Sequence, residues 1–156
     1  MTKKLALGGK HGGYALVDRE DFERLSAHSW CTADNGYAVR RIKKGGKYEF
    51  IYMHREILGA EKGQEVDHIN RHKLDNRKAN LRFVTSSQNK MNTGLQKNNT
   101  SGYRGISWYS PQSKWRVRIN MNRHRYFLGY YKDKDEAIEV ARKFYQENYG
   151  EYSPWL

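Results

Sequence analysis

Residues 66–92 read V-D-H-I-N-R-H-K-L-D-N-R-K-A-N-L-R-F-V-T-S-S-Q-N-K-M-N, and this stretch decides the fold of the first half of the chain. Residues 64–69 predict a short extended segment, residues 70–73 a turn, and residues 81–84 a second short strand. Thr85-Ser86-Ser87-Gln88 carries the T-x-x-Q signature that opens a helix. We therefore expect strand, loop, strand and helix in that order.

The same stretch carries polar side chains suited to one reaction. Asp67 and His68 are adjacent, Asn80 precedes the second strand, and Asn89 falls in the first turns of the helix. An imidazole with a pKa of about 6.5 can take a proton near neutral pH. Carboxylate and amide oxygens suit a hard divalent cation. A lone Asp-His pair is more often a surface ion pair, so the argument rests on the ordered set.

The order and spacing resemble the HNH endonuclease family, in the phage and intron homing type whose last histidine is an asparagine. The resemblance implies a ββα-metal fold with His68 as the general base that activates water. It also implies that Asp67 and Asn89 bind one Mg²⁺ or Mn²⁺ per active site. Asn80 would hydrogen-bond His68 and fix its ring.

Other residues near the motif leave alternatives open. Asn70 and Asn76 are interpreted as turn formers, and Asn92 as a turn former that is a weaker rival to Asn89. His54, in Tyr52-Met53-His54-Arg55, is interpreted as a packing residue or a phosphate contact, with site membership as the lesser option. Position and charge alone suggest that Arg77 and Arg82 clamp the scissile phosphate and so bind DNA.

The net charge of +12 is concentrated in one segment of the 156-residue chain. Residues 76–132 contain no Asp or Glu and hold 12 of the 29 basic residues, so the other 17 balance the 17 acids. Aromatic residues are interleaved with this charge, as at Trp108 and Trp115. This pattern favours a nucleic acid partner over an ordinary solvated face. A membrane partner is not expected, because no long apolar run or basic amphipathic helix occurs.

The single cysteine, Cys31, excludes an intramolecular disulfide and a multi-cysteine zinc site. No signal peptide is visible near the start, where Lys3-Lys4 is followed by a short apolar run. The resemblance to homing enzymes implies a protein that acts in the cytoplasm of a bacterium or of a phage-infected cell.

The C-terminal segment predicts three strands followed by a helix. Residues 114–120 alternate between apolar and polar side chains, and apolar residues recur at helical spacing after Asp133. The pattern Y-R-G-I-S-W…K-W-R-V-R-I…Y-F-L-G-Y-Y…D-E-A-I-E-V-A-R resembles the plant ethylene-response-factor (Apetala-type) DNA-binding domain. The resemblance implies a sheet in the DNA major groove, with these residues facing DNA: Arg104, Trp108, Arg116, Arg118, Asn120 and Arg125. Ser107, Tyr109 and Arg118 depart from the plant pattern, so the plant target sequence is not implied.

The N-terminal part predicts short strands, a hairpin turn at Gly45-Gly46 and a helix over residues 54–58. Asp18 is a candidate cap for a further helix over residues 21–25. The expected fold class is α+β, a ββα-metal (HNH) nuclease module followed by a three-stranded antiparallel sheet packed on one helix. The expected domains are a nuclease domain over 1–92 with its core at about 50–92, a linker over 93–101 and a DNA-binding domain over 102–156.

These observations predict a metal-dependent endonuclease that hydrolyses double-stranded DNA, acts as a monomer and resembles homing enzymes. The alternative is a DNA-binding protein or regulator with an inactive HNH remnant. A nuclease acting on RNA is a third possibility.

Overall fold

The chain folds as two units, one spanning Met1–Thr85 and a second that begins at Ser86. The computed structural model describes residues 1–153, so the last three residues of the predicted domain 102–156 lie outside the described residues. The predicted domain bounds stay a prediction. Within residues 1–153, no helix is both long enough and apolar enough to span a bilayer.

The first unit is built from short antiparallel sheets and two helices. Its elements are β1 (Thr2–Ala6), β2 (Tyr14–Asp18), α1 (Arg19–Ser26), β3 (Cys31–Thr32), β4 (Ala38–Lys44), β5 (Lys47–Tyr52), α2 (Met53–Leu58), β6 (Glu65–His68), a 3-10 turn (Lys78–Asn80) and β7 (Leu81–Val84). The sheets are β1-β2, β3-β4-β5 and β6-β7. Strand β1 was not predicted, because its apolar positions become buried only when it pairs with β2.

Apolar residues from both helices and from five of the seven strands form one core. Its members are Leu5, Leu7, Ala15, Val17, Leu25, Trp30, Ala38, Met53, Ile57, Val66 and Leu81. Val66 and Leu81 belong to β6 and β7, so this two-stranded sheet is anchored by its apolar side chains. The polar residues between them are thereby held in fixed positions.

Two local signals behave as the sequence predicted. Gly45 and Gly46 have φ of 56° and 78°, which suits the two-residue turn between β4 and β5. Gly59 ends α2 in the left-handed region at φ 62°. A third signal behaves differently. Asp18 stands at the start of α1, but its side chain does not cap the helix. Its Oδ2 instead accepts a hydrogen bond from Lys78 N at 2.8 Å.

The second unit is a three-stranded antiparallel sheet with a long helix packed on it. Its elements are α3 (Ser86–Met91), β8 (Ile106–Tyr109), a 3-10 turn (Ser110–Gln112), β9 (Lys114–Met121), β10 (His124–Tyr131), α4 (Lys134–Tyr149) and a 3-10 turn (Gly150–Tyr152). The strand order is β10-β9-β8. The side chain of Asp133 caps α4 by accepting hydrogen bonds from the backbone N–H groups of Asp135 and Glu136. Apolar residues of β8, β9 and α4 form a separate core.

The architecture is thus mixed α+β, and it is compatible with the predicted nuclease module. Helix α3 begins directly after Thr85, where the T-x-x-Q signature predicted it. This helix belongs to the second unit, so the complete ββα-metal arrangement stays a prediction.

Candidate active site

Asp67 and His68 end strand β6 and are held by its pairing with β7. Asp67 lies opposite Arg82, and His68 lies opposite Leu81. Both polar side chains are buried, with relative exposures of 8% and 3%. Buried polar groups need defined partners, so this strand end is an organised site rather than a solvated surface.

The His68 ring is held by Asn76, whose Oδ1 lies 3.2 Å from His68 Nε2. An amide oxygen can only accept a hydrogen bond, so Nε2 carries the hydrogen in this arrangement. Nδ1 is then the ring nitrogen that can take a proton. Burial lowers the pKa of His68 below its usual value, and the hydrogen bond to Asn76 opposes this shift. The neutral ring that a base requires is therefore favoured near neutral pH.

The prediction that Asn80 holds the His68 ring is wrong. The three side-chain hydrogen bonds of Asn80 shape the preceding loop instead: its Oδ1 accepts from Asn70 N at 3.0 Å, and its Nδ2 donates to Asn70 Oδ1 at 2.9 Å and Asp75 O at 2.8 Å. Asn80 thus fixes the loop that carries Asn76. Its assignment to the active site stays a prediction.

Asn76 was missed because its surroundings come from a distant strand. Asn76 N donates to Leu16 O, and Leu16 N donates to Leu74 O, both at 2.8 Å. This pairing with β2 draws the loop inward and leaves Asn76 only 1% exposed. The local sequence Leu74-Asp75-Asn76-Arg77 contains only turn signals, so sequence reasoning could not find this role.

A group of rings surrounds His68 on one side. The His54 ring centre lies 5.0 Å from that of His68, and Tyr37 lies 5.1 Å from His54 and 5.8 Å from His68. Burial lowers the pKa of His54 to about 3, so this ring is neutral. Burial also raises the pKa of the Tyr37 phenol, and the charge of Asp67 adds to the shift. His54 is therefore part of the site's wall, and Tyr37 is a neighbour that the sequence did not suggest.

Both arginines proposed to clamp phosphate have carboxylate partners within the unit. Arg82 Nε and Nη2 each lie 3.3 Å from Asp67 Oδ2. Arg77 Nε donates to Asp75 Oδ1 at 2.7 Å, and its Nη2 donates to Asp75 Oδ2 at 2.6 Å. This pairing lowers the pKa of the Asp75 carboxyl. Arg77 thus stabilises the loop that carries Asn76, and its contact with phosphate stays a prediction.

A divalent metal ion fits the donor chemistry predicted from the sequence. Among residues 1–153, no group of three or more His, Cys, Asp or Glu side chains is placed to hold a metal ion. The predicted ligands, Asp67 and Asn89, offer one carboxylate and one amide oxygen. Mg²⁺ accepts such a set, because it is commonly bound by one or two carboxylates and keeps several waters. Asn89 lies in α3 of the second unit.

The predicted DNA-facing residues of the second unit divide into two groups. Arg116, Arg118 and Asn120 alternate with buried residues along β9 and share the face away from α4. Arg125 lies opposite Asn120 on β10 and joins this face. Trp108 lies opposite Trp115, at a ring distance of 5.2 Å, on the other face. Trp108 therefore does not share the face of these arginines, because a one-residue step along a strand changes the face. Its predicted contact with DNA stays a prediction.

Arg104 lies before β8 and is occupied within its own unit. Its Nη2 donates to Thr93 O at 2.6 Å and lies 3.3 Å from both Thr93 Oγ1 and Gly94 O. Arg104 therefore ties the predicted linker to the sheet domain. Its contact with DNA stays a prediction.

The segment that holds the candidate active site matches a known protein family. Residues 53–91, which run from the first residue of α2 to the last of α3, match the model of the HNH endonuclease family. The chain is 26% identical over 150 residues to the uncharacterized HNH endonuclease L560 of Acanthamoeba polyphaga mimivirus, an alignment covering 94% of this chain and 76% of that protein.

A second relative covers less of the chain. Protein 3.8 of Escherichia phage T7 is 38% identical over 58 residues, which are 37% of this chain and 48% of that protein. No solved structure matches the chain. The chain thus contains an HNH endonuclease family domain over residues 53–91 and has a distant viral homologue of that class.

Proposed function

We propose that this protein is a metal-dependent endonuclease that hydrolyses phosphodiester bonds in double-stranded DNA. The observation that carries the proposal is His68, buried beside Asp67, with its ring held by Asn76 inside the segment that matches the HNH family. The match supports a nuclease acting on DNA. The duplex substrate rests on the unbalanced positive charge of residues 76–132 and on the arginine-bearing sheet face of the second unit.

In this proposal His68 Nδ1 takes a proton from a water molecule while Asn76 keeps Nε2 in its hydrogen-bonding position. The water oxygen adds to phosphorus, the bond from phosphorus to the leaving oxygen breaks, and solvent supplies the proton for that oxygen. The rings of His54 and Tyr37 form a neutral wall on one side of His68. General base catalysis of this kind typically contributes about 10²–10⁴-fold.

We assign the metal ion, Mg²⁺ or Mn²⁺ with one per active site, to Asp67 and Asn89. When bound, such an ion polarises the phosphate and stabilises the leaving oxygen. Arg82 lies against Asp67 and balances its charge. Asn80 and Arg77 hold the loop in which Asn76 sits.

We propose that the second unit resembles the ethylene-response-factor domain and binds duplex DNA through one sheet face. That face carries Arg116, Arg118, Asn120 and Arg125, and residues 76–132 contain no acid to oppose them. Arginines in such a sheet can contact guanine edges or phosphates. We expect a monomer that acts in the cytoplasm of a bacterium or phage-infected cell.

The experiment is cleavage of a supercoiled plasmid with Mg²⁺, Mn²⁺ or EDTA, by wild type and by His68→Ala. We expect nicking or linearisation by wild type only, and only with metal. Equal cleavage by His68→Ala would remove His68 as the base. DNA binding without cleavage under any condition would favour the alternative, a binding protein with an inactive HNH remnant. Faster cleavage of RNA than of duplex DNA would assign the substrate to RNA.

A further inference from the structure

The hairpin formed by β4 and β5 is exposed on both faces over its outer half. All residues from Lys43 to Phe50 are exposed, whereas at the other end of the hairpin Ala38 belongs to the core and Ile51 packs against it. We name residues 41–50 the arm. From Val39 to the turn at Gly45 the ribbon extends about 20 Å, at the usual rise of a strand. No other part of the first unit covers this surface.

One face of the arm combines cations with aromatic rings. Arg41 lies opposite Phe50, and Lys43 lies opposite Tyr48, so these four side chains share a face. Tyr48 and Phe50 are 62% and 60% exposed. The guanidinium of Arg41 lies over the Tyr48 ring at 4.5 Å, which holds it in a fixed orientation. This face contains no acid.

The other face adds further positive charge. Lys44 lies opposite Lys47 at the tip, and Glu49 is the only acid among residues 41–50. Large exposed aromatic side chains mark an interaction surface, and the surrounding cations define the partner as a polyanion. A second copy of this chain is a poor occupant, because it also carries a net charge of +12.

The base of the arm is the wall of the candidate active site. Tyr37 directly precedes β4, and Tyr52 ends β5 and is followed closely by His54. The rings of Tyr37 and Tyr52 lie 5.8 Å apart in an edge contact. A nucleic acid bound at His68 would therefore pass close to the base of the arm.

We propose that the arm is a second DNA-binding element that inserts into the major groove of the duplex beside the cleavage site. This proposal rests on the proposed nuclease function, whose substrate it extends. A two-stranded ribbon fits the major groove, and an aromatic ring there can contact thymine methyl groups. The lysines at the tip and Arg41 contact the phosphates that border the groove.

The test measures binding of the full-length chain to a short labelled DNA duplex, in EDTA, across a series of salt concentrations. The variant Lys43→Ser/Lys44→Ser/Lys47→Ser removes three charges from the arm. A matched control, Lys3→Ser/Lys10→Ser/Lys62→Ser, removes three exposed charges elsewhere in the same unit. We expect the arm variant to bind more weakly and to lose about one unit of the slope of log affinity against log salt for each phosphate contact. The control should lose less than half as much.

A second variant, Tyr48→Ser/Phe50→Ser, separates ring contacts from charge. We expect weaker duplex binding with an unchanged salt slope. Wild-type affinity in both arm variants, or an equal loss in the lysine control, would overturn the proposal. Arm-dependent binding that is tighter for single-stranded DNA than for duplex would also overturn the proposal. So would an aromatic variant that loses self-association but keeps its DNA affinity.

The outcome is independent of catalysis, because binding is measured without metal. Absence of metal-dependent plasmid cleavage by wild type would count against the proposed nuclease function alone. Loss of arm-dependent binding would count against the arm alone.

Discussion

His68 Nε2 lies 3.2 Å from Asn76 Oδ1, and this contact joins the end of β6 to a loop that is anchored on β2. Asn80 and Arg77 stabilise the same loop through Asp75. The candidate base is thus oriented by a chain of hydrogen bonds that begins far from it in sequence. Each link of this chain can be tested by substitution.

Replacing Asn76 by alanine should reduce the turnover number for plasmid cleavage by about 10–100-fold, because the ring of His68 loses the partner that fixes it. The Michaelis constant should change little, since the phosphate-binding groups remain. Steady-state cleavage over a range of plasmid concentrations measures both constants. Asn98→Ala, at an exposed position, is the matched control. Full activity of Asn76→Ala in a folded protein would show that Asn76 has no positioning role.

The stability of the protein should fall as pH decreases from about 6.5 toward 3, in part because of His54. The pKa of His54 is lowered to about 3 in the folded state, whereas an unfolded histidine has a pKa of 6.5. Between these two pH values the unfolded chain binds one more proton at His54 than the folded chain does. The contribution of His54 to stability is therefore fully present above pH 6.5 and is lost as the pH falls. One proton corresponds to at most about 1.4 kcal/mol per pH unit.

Urea unfolding without divalent metal, at a series of pH values, checks this dependence. The variant His54→Gln should show a smaller slope of unfolding free energy against pH over the same range. The pKa of His68 is shifted in the same direction, so part of the slope should remain. An identical slope in wild type and His54→Gln would show that His54 is not buried as a neutral ring.

Asp67 and Arg82 should be coupled in stability. Arg82 Nη2 lies 3.3 Å from Asp67 Oδ2, and both side chains are largely buried. Removing one partner breaks this ion pair, and breaking a buried ion pair costs about 3–5 kcal/mol. Asp67→Asn and Arg82→Gln should each destabilise, and the double variant should be less destabilised than the sum of the two. A double-mutant cycle by urea unfolding measures this, and strict additivity would exclude a direct interaction.

The elements of the fold that depend on local sequence were predictable, and the contacts between distant segments were not. The Gly45-Gly46 turn, the alternation along β9 and the T-x-x-Q start of α3 each depend on neighbouring residues. The Asn76 contact depends on the pairing of its loop with Leu16, which no local pattern encodes. The face on which Trp108 lies was unpredictable for a related reason, since the register of β8 against β9 decides it.

The same reasoning explains what the sequence showed of the site. Asp67 and His68 could be proposed from the sequence because they are neighbours in a single predicted strand. Tyr37 was missed because it meets His68 only through the packing of β4 and α2 beside β6. The contact between Tyr37 and His68 arises from tertiary structure, and no local pattern in a single sequence predicts it.

Replacing Gly105 by alanine should destabilise the second unit by at least about 1 kcal/mol. Gly105 has φ of +79°, a conformation that costs an L-residue about 1–2 kcal/mol. An added Cβ would also lie 2.8 Å from Ile119 Cγ1, which is in the buried core and cannot move freely. Gly94→Ala is a matched control, because nothing lies within 4 Å of its added Cβ and its φ is not positive. Thermal unfolding should show a lower midpoint for Gly105→Ala only. Equal midpoints for the two variants would mean that the close contact between Gly105 and Ile119 is not maintained in solution.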